Sequence, residues 1–236
     1  RPQNLPEMLR AKQVDVVIMG LDMLTEWGED HDFLVINTIQ VSKVSLQNNA
    51  RVVAFVRQDS AYIQKDQLLG RAIFSEYPKI TKCWLGETQF GIPSELAKTV
   101  TVRRSYGSTE GMVAAGLYDC GVGITETGES IAANNLRVID TIMDAPVVMA
   151  IRPEVINKKW PRQLAAILNG AHAAQNYVLL KMNLAKHDLP YIMTLLPALK
   201  SPTVHQLNDN HCVAVETVVQ KDTLASLIVV LGNAGA

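Results

Sequence analysis

The chain has 236 residues, 48% of them hydrophobic and 19% charged, with 22 Lys and Arg against 23 Asp and Glu for a net charge of −1. That is enough apolar material for a core and too little charge for a disordered chain, and the near-neutral balance gives no electrostatic reason to expect nucleic acid as a partner. The longest apolar runs, such as residues 145–151 or 227–231, are far too short to span a bilayer, and Cys83, Cys120 and Cys212 lack metal or disulfide spacing, as suits free thiols in a reducing cytoplasm.

In chain order, the polar start Arg1-Pro2-Gln3-Asn4 does not read as an export signal, and none is expected. Residues 5–11 then predict a short helix. The apolar run 14–19 predicts a strand, hydrophobic on both faces as in a covered parallel sheet. Further strands are expected over 51–56, 71–74, 99–103, 137–143 and 146–151, with helices over 64–69, 81–86 and 108–117. Strand–helix alternation over this length is the pattern of an open α/β sheet.

The tail changes character. Residues 160–175 read as one helix with Leu164, Ala165, Ile167, Leu168 and Ala171 along its apolar stripe. A β-α-β-β-α order follows: strand 177–183, helix 187–196, strands 203–207 and 212–219, helix 222–231. Asn208-Asp209-Asn210 is expected to supply positive φ for a tight hairpin. The order is a ferredoxin-like half-sandwich without its last strand.

The most informative stretch is Gly121-Val-Gly-Ile-Thr125-Glu126-Thr127-Gly128-Glu129-Ser130-Ile131, a strand that opens onto a helix through hydroxyls and a glycine. Such a turn offers amide N–H groups, side-chain hydroxyls and the positive end of a helix, which together suit a phosphate. The alternative is that Thr127 or Ser130 merely caps the helix. A side chain at Gly128 is expected to crowd the loop backbone.

No nucleophile elbow, HExxH, Walker loop or GxGxxG stands in the chain, and His31, His172, His187, His205 and His211 show no ligand spacing. What remains is the socket with Glu110, Asp119, Glu126 and Glu129 around it. That set suits a reaction whose nucleophile comes from the substrate, with the protein supplying position and electrostatics. Carboxylates beside a phosphate imply an intervening magnesium ion or sugar hydroxyls; the alternative is that Glu110 and Glu129 are solvated helix residues.

The sequence resembles the long form of the ATP phosphoribosyltransferase family, the first enzyme of histidine biosynthesis. The resemblance is carried by Arg1-Pro2-Gln3-Asn4-Leu5-Pro6 with Val14–Asp22, by Ser105-Tyr106-Gly107-Ser108-Thr109-Glu110, and by the stretch from Thr125 to Arg137. In the tail it rests on Leu180-Lys181-Met182-Asn183, on residues 195–204 and on Val213–Val219.

The resemblance implies an α/β fold, with a two-lobed catalytic body like type II periplasmic binding proteins and a C-terminal ferredoxin-like, ACT-like α+β domain. The implied divisions are 1–48 with 137–160, 49–136, and 161–236, the last binding histidine as feedback inhibitor. The implied reaction joins N1 of the ATP adenine to C1 of phosphoribosyl pyrophosphate and releases pyrophosphate, with Mg2+ bound, in a cytoplasmic homo-oligomer of dimers or hexamers.

On this likeness Thr125, Glu126, Thr127, Gly128, Glu129 and Ser130 hold the donor. Glu110 and Glu126 serve catalysis, and Arg1, Asp22 and Met23 line the nucleotide side. Asn183, Ser201, Thr203 and Val218 match effector positions, although from pattern alone these are a strand end and a Pro-bounded turn.

Three departures stand out. The family's Lys-Gly-Arg-Leu start does not precede Arg1, Gly123 stands where relatives carry Asp, and Leu46-Gln47-Asn48-Asn49 replaces a glycine-containing segment. The alternative reading is a non-catalytic small-molecule binding protein on the same scaffold.

Overall fold

A computed structural model describes residues 1–29, 31–39, 50–86, 95–197 and 201–236. The departure at 46–49, the expected boundary at 48, and residues 198–200 of the tail block lie outside them. The chain divides into two compact units, 1–165 and 166–236. No helix among the described residues is long and apolar enough to cross a membrane.

The first unit begins with α1 (Leu5–Arg10), β1 (Val16–Gly20), α2 (Leu21–Trp27) and β2 (Leu34–Ile39). It continues through β3 (Arg51–Arg57), β4 (Ala72–Ser75), α3 (Pro78–Trp84), α4 (Glu95–Thr99), β5 (Thr101–Arg104) and α5 (Thr109–Ala114). It closes with β6 (Cys120–Thr125), α6 (Glu129–Ala133), β7 (Leu136–Asp144) and β8 (Val147–Ile151). Helix α7 (Lys159–Asn176) then includes the division between the units.

Two sheets form this unit. A small one has the order β1-β8-β2, with both pairings antiparallel. The larger has the order β5-β4-β6-β3-β7, in which β4 runs parallel to β5 and β6 while β3 runs antiparallel to β6 and β7. The expectation of a covered parallel sheet at residues 14–19 is therefore corrected. β1 buries Val17 and Met19 on one face and leaves Ile18 47% exposed on the other. An apolar run alone could not show that one of its faces would lack a cover. The expected division at 137 falls at the start of β7, which pairs with β3 in the larger sheet; β8 is the strand that returns to the small one.

β3 explains why the large sheet holds. Its Val52, Ala54 and Val56 pack on one face with Ile73, Tyr77, Ile80 and Leu85, while Val53 and Phe55 pack on the other with Val113 and Ile131. A strand buried on both faces reads as a continuous apolar run, and each large side chain so buried contributes roughly 1.5–3 kcal/mol. Gly121 of β6 lets the Phe55 ring lie against the strand, since a Cβ there would stand 2.3 Å from it.

The second unit carries β9 (Tyr177–Ala185), α8 (Leu189–Leu195), β10 (Thr203–Gln206), β11 (Cys212–Gln220) and α9 (Leu224–Asn233). Its antiparallel sheet has the order β10-β11-β9, as the half-sandwich requires. Val213, Val215 and Val219 of β11 pack on Ile192 of α8 and on Leu227 and Leu231 of α9. Two expectations are corrected. Asn208–Asn210 is absent from the described positive-φ residues, and the turn is closed by Asp209, whose Oδ1 accepts from His211 N at 2.9 Å and whose carbonyl accepts from Cys212 N at 3.1 Å. On α7, Ile167 is 68% exposed rather than part of a buried stripe.

Candidate functional site

The parallel strands β4, β5 and β6 end side by side. Ser75 pairs with Arg104 on one side and with Val122 on the other. Ser105 N then bonds Ser75 O at 2.7 Å, and Glu76 N bonds Val122 O at 3.0 Å. In open α/β sheets ligands bind in the crevice outside the carboxyl ends of such strands. Three segments emerge there: Glu76-Tyr77 after β4, residues 105–110 after β5, and residues 125–130 after β6.

The last of these is the predicted socket. Gly128 adopts φ +83° at the start of α6, a conformation that costs glycine little and other residues more. A Cβ there would meet nothing within 4 Å, so the expectation that a side chain would crowd the loop is corrected: the position needs glycine for its backbone angle. The Thr125 hydroxyl accepts from Gly128 N at 2.9 Å and the Thr127 hydroxyl from Glu129 N at 3.3 Å. Both threonines thus hold the turn in shape while keeping a hydroxyl proton to donate. Ser130 Oγ donates to Glu110 Oε1 at 3.1 Å, which ties the β6 segment to the first turn of α5. Glu126 is half-buried in the turn, and Glu129 is exposed.

The β5 segment is built on hydroxyls. Ser105 and Thr109, both buried, share a bond of 2.7 Å, and Ser105 Oγ also accepts from Gly107 N at 3.2 Å. The turn passes through Gly107 at φ +121° and Ser108 at φ +60°, a positive φ that is uncommon outside glycine. Thr109 Oγ1 then donates to Glu76 Oε1 at 3.1 Å, which joins the β5 and β4 segments. Burial is the first cause that holds the Glu76 carboxyl above its ordinary range; the charges of Glu110 and Asp22 add to it, and the Thr109 hydrogen bond opposes it.

On the side of α2, Asp22 is 3% exposed, and its Oδ2 accepts from Tyr77 Oη at 2.7 Å. Burial and the Asp22 charge push the Tyr77 phenol far up, so it stays neutral and donates. Met23 packs against the cores of both sheets. Arg1 is exposed and precedes the 3-10 turn Pro2–Asn4, which packs on α2. The structure thus brings Glu110 and Ser130 into contact, and Asp22 against Tyr77.

Sequence reasoning passed over Glu76, Tyr77 and Thr109. The available signal was Ser75-Glu76-Tyr77-Pro78, polar residues between a predicted strand and a Pro that can open a helix. Among the described residues no group of three or more His, Cys, Asp or Glu could hold a metal ion.

In the second unit, strand register places Asn183 opposite Ala214, Thr203 opposite Glu216, and Val218 opposite Leu179. Since Val213, Val215 and Val219 point into the core, the alternation of a strand puts Asn183, Thr203 and Val218 together on the opposite face. Ser201 lies exposed just before β10. A cavity of about 480 Å³ lined by Tyr177, Leu195, Val218, Gln220 and Leu227 includes one of the four predicted residues.

Comparison with known proteins gives a consistent picture. Residues 1–171 match the family described as ATP phosphoribosyltransferase, and residues 174–236 match the family described as HisG, C-terminal domain. The ATP phosphoribosyltransferase of Nitratidesulfovibrio vulgaris (strain DSM 19637 / Miyazaki F) is 36% identical over 240 residues, covering 100% of this chain and 78% of its own. That of Pelotomaculum thermopropionicum is 35% identical, covering 100% and 79%. Among solved structures, the ATP phosphoribosyl transferase (HisG:HisZ) complex from Thermotoga maritima shares the fold with a TM-score of 0.57 and 21% identity, over 74% of this chain and 77% of that one.

Proposed function

The chain belongs to the ATP phosphoribosyltransferase family, and from that premise we propose that the crevice outside β4, β5 and β6 is where it joins ATP to phosphoribosyl pyrophosphate. The reaction is the first step of histidine biosynthesis. N1 of adenine attacks C1 of the donor, the C1–O bond breaks, and pyrophosphate leaves.

The observation that carries this reading is the convergence of three strand-end segments, two of them joined by Ser130 and Glu110. An anomeric carbon that gains positive character needs its phosphates held and its charge met. Thr125, Thr127, Gly128 and Ser130, with Glu126 and Glu129 beside them, hold the 5′-phosphate and ribose. Glu110 and Glu126 face the developing charge at C1. Arg1, Asp22 and Met23 lie on the nucleotide side, Arg1 offering a planar fork to phosphate oxygens.

Metal dependence is general in such transferases, and Mg2+ fits best as an ion carried in on the diphosphate oxygens. The described residues form no cage for it, and Mg2+ commonly reaches protein sites on substrate phosphates with one or two carboxylates. Bound there, it would neutralise the leaving group. Histidine is the proposed inhibitor, binding on the sheet face that carries Asn183, Thr203 and Val218, with Ser201 beside it. Assembly into dimers and hexamers in the cytoplasm completes the proposal.

Calorimetry with phosphoribosyl pyrophosphate and Mg2+ tests the site. Binding is expected in the wild type and a loss in Gly128→Val. Unchanged binding in that variant, folded by circular dichroism, would remove the loop from the assignment.

A further inference from the structure

Among the described residues Glu76, like Asp22 and Glu110, receives a single protein hydrogen bond, but it alone stands where the segments after β4 and β5 are tied together. Asp22 accepts from a phenol and Glu110 from a serine. Glu76 receives one bond, from Thr109 to Oε1, and among the described residues no cation pairs with it and no protein donor reaches Oε2. It sits at the C-terminal end of β4, flanked by parallel strands on both sides. No side chain covers it from β6: position 123 is glycine, and a Cβ built there would stand 3.9 Å from Glu76 Oε1. The fold therefore fixes one oxygen of this carboxylate through a buried hydroxyl pair, Ser105 and Thr109, and leaves the other oxygen without a protein donor.

The reaction supplies something for such an oxygen. When N1 of adenine bonds to C1 of the donor, the ring becomes cationic and its exocyclic amine turns acidic. Completing the product requires one N6 proton to leave.

We propose that Glu76 is a catalytic residue that accepts this proton. The inference rests on the crevice reading above. In the balanced step the N1 lone pair forms the N1–C1 bond and the C1–O bond breaks with its electron pair going to pyrophosphate. The N6–H proton passes to Glu76, which returns it to solvent on product release.

A base works best when its pKa lies near the working pH, and the upward displacement of Glu76 goes in that direction. The groups facing it among the described residues are Asp22 on α2, Glu110 on α5 and the neutral phenol of Tyr77. Both carboxylates raise its affinity for a proton, while Thr109 lowers it.

The test is the pH–rate profile of Glu76→Gln, Thr109→Val and Glu110→Gln with ATP, phosphoribosyl pyrophosphate and Mg2+. Glu76→Gln is expected to lose about 10²–10⁴-fold in kcat, to keep its donor affinity by calorimetry, and to lose the acidic limb. Thr109→Val removes a bond that favours the carboxylate, so the limb moves to higher pH. Glu110→Gln removes a repelling charge, so it moves to lower pH.

Opposite shifts are not what a merely structural Glu76 would give. A second readout is stability. Because the folded pKa is raised, ionised Glu76 costs the fold at neutral pH. Glu76→Gln should therefore melt higher than wild type there, with the difference vanishing below about pH 4, where the carboxyl is neutral in both states.

Retained kcat in Glu76→Gln, or a limb that neither Thr109→Val nor Glu110→Gln displaces, would overturn the proposal. If donor binding also survives Gly128→Val, the crevice assignment itself fails. If binding is lost there while Glu76→Gln keeps its rate, only the role of Glu76 fails.

Discussion

Glu26 and Glu76 both meet the junction between β4 and α3, and the structure uses them in opposite ways. Glu26, on α2, is 5% exposed and fully engaged. Its Oε2 accepts from the amides of Lys79 at 2.9 Å and Ile80 at 3.1 Å, and its Oε1 accepts from Arg104 at 3.0 Å. Those amides belong to the first turn of α3, which has no intrahelical partner for them and no side-chain cap of its own. Glu26 thus caps a helix from another element, and Arg104, stacked 4.5 Å over Trp27, supplies the counter-charge. Glu76 has one hydroxyl donor and two carboxylates for neighbours. Glu26, surrounded by donors, holds a helix end in place; half-buried Glu76, with one donor and like charges beside it, is the group we propose meets a ligand.

Substitutions at the two kinds of position should separate their effects on rate from their effects on stability. The largest effect is expected at the socket: Gly128→Val forces a β-branched residue to φ +83°. It should lower kcat/KM by about 10²–10³-fold or more, as loss of oriented donors does, with the melting temperature moved far less than the rate.

Glu26→Ala should do the reverse, costing about 3 kcal/mol in urea unfolding because Arg104 and two amides lose their partner. A loss under about 1 kcal/mol would show that the cap contributes little. Tyr77→Phe leaves the buried Asp22 carboxylate short of its donor and should cost about 1–2 kcal/mol in the same assay.

The smallest effect belongs to Lys181→Ala. Lys181 bonds Glu216 across β9 and β11 at 2.7 Å with its side chain 61% exposed. That bond holds the Glu216 carboxyl below its usual range. The melting temperature should not move at pH 7, since exposed pairs are screened by water; a clear drop would mean that this sheet face is more sheltered than its exposure implies.

Much of the fold was legible in the sequence because local patterns decide local structure. The apolar run at 51–56 became β3, and the hydroxyl-and-glycine stretch became the turn from β6 into α6. The β-α-β-β-α tail became β9, α8, β10, β11 and α9. Thr125 bonds an amide three residues away and Thr127 one two residues away, so neighbours alone determine the shape of that turn.

Which distant groups meet is settled by the packed fold alone. Tyr77 reaches Asp22 across 55 positions, Ile80 reaches Glu26 across 54, and Ser130 reaches Glu110 across 20. Those meetings depend on strand order and direction, including the parallel placement of β4 between β5 and β6. No local period encodes that order, because it follows from how whole faces bury against one another. Glu76 was invisible for the same reason: what singles it out is its place between the β4 and β5 segments beside Asp22 and Glu110, which is known only once every neighbour is in place.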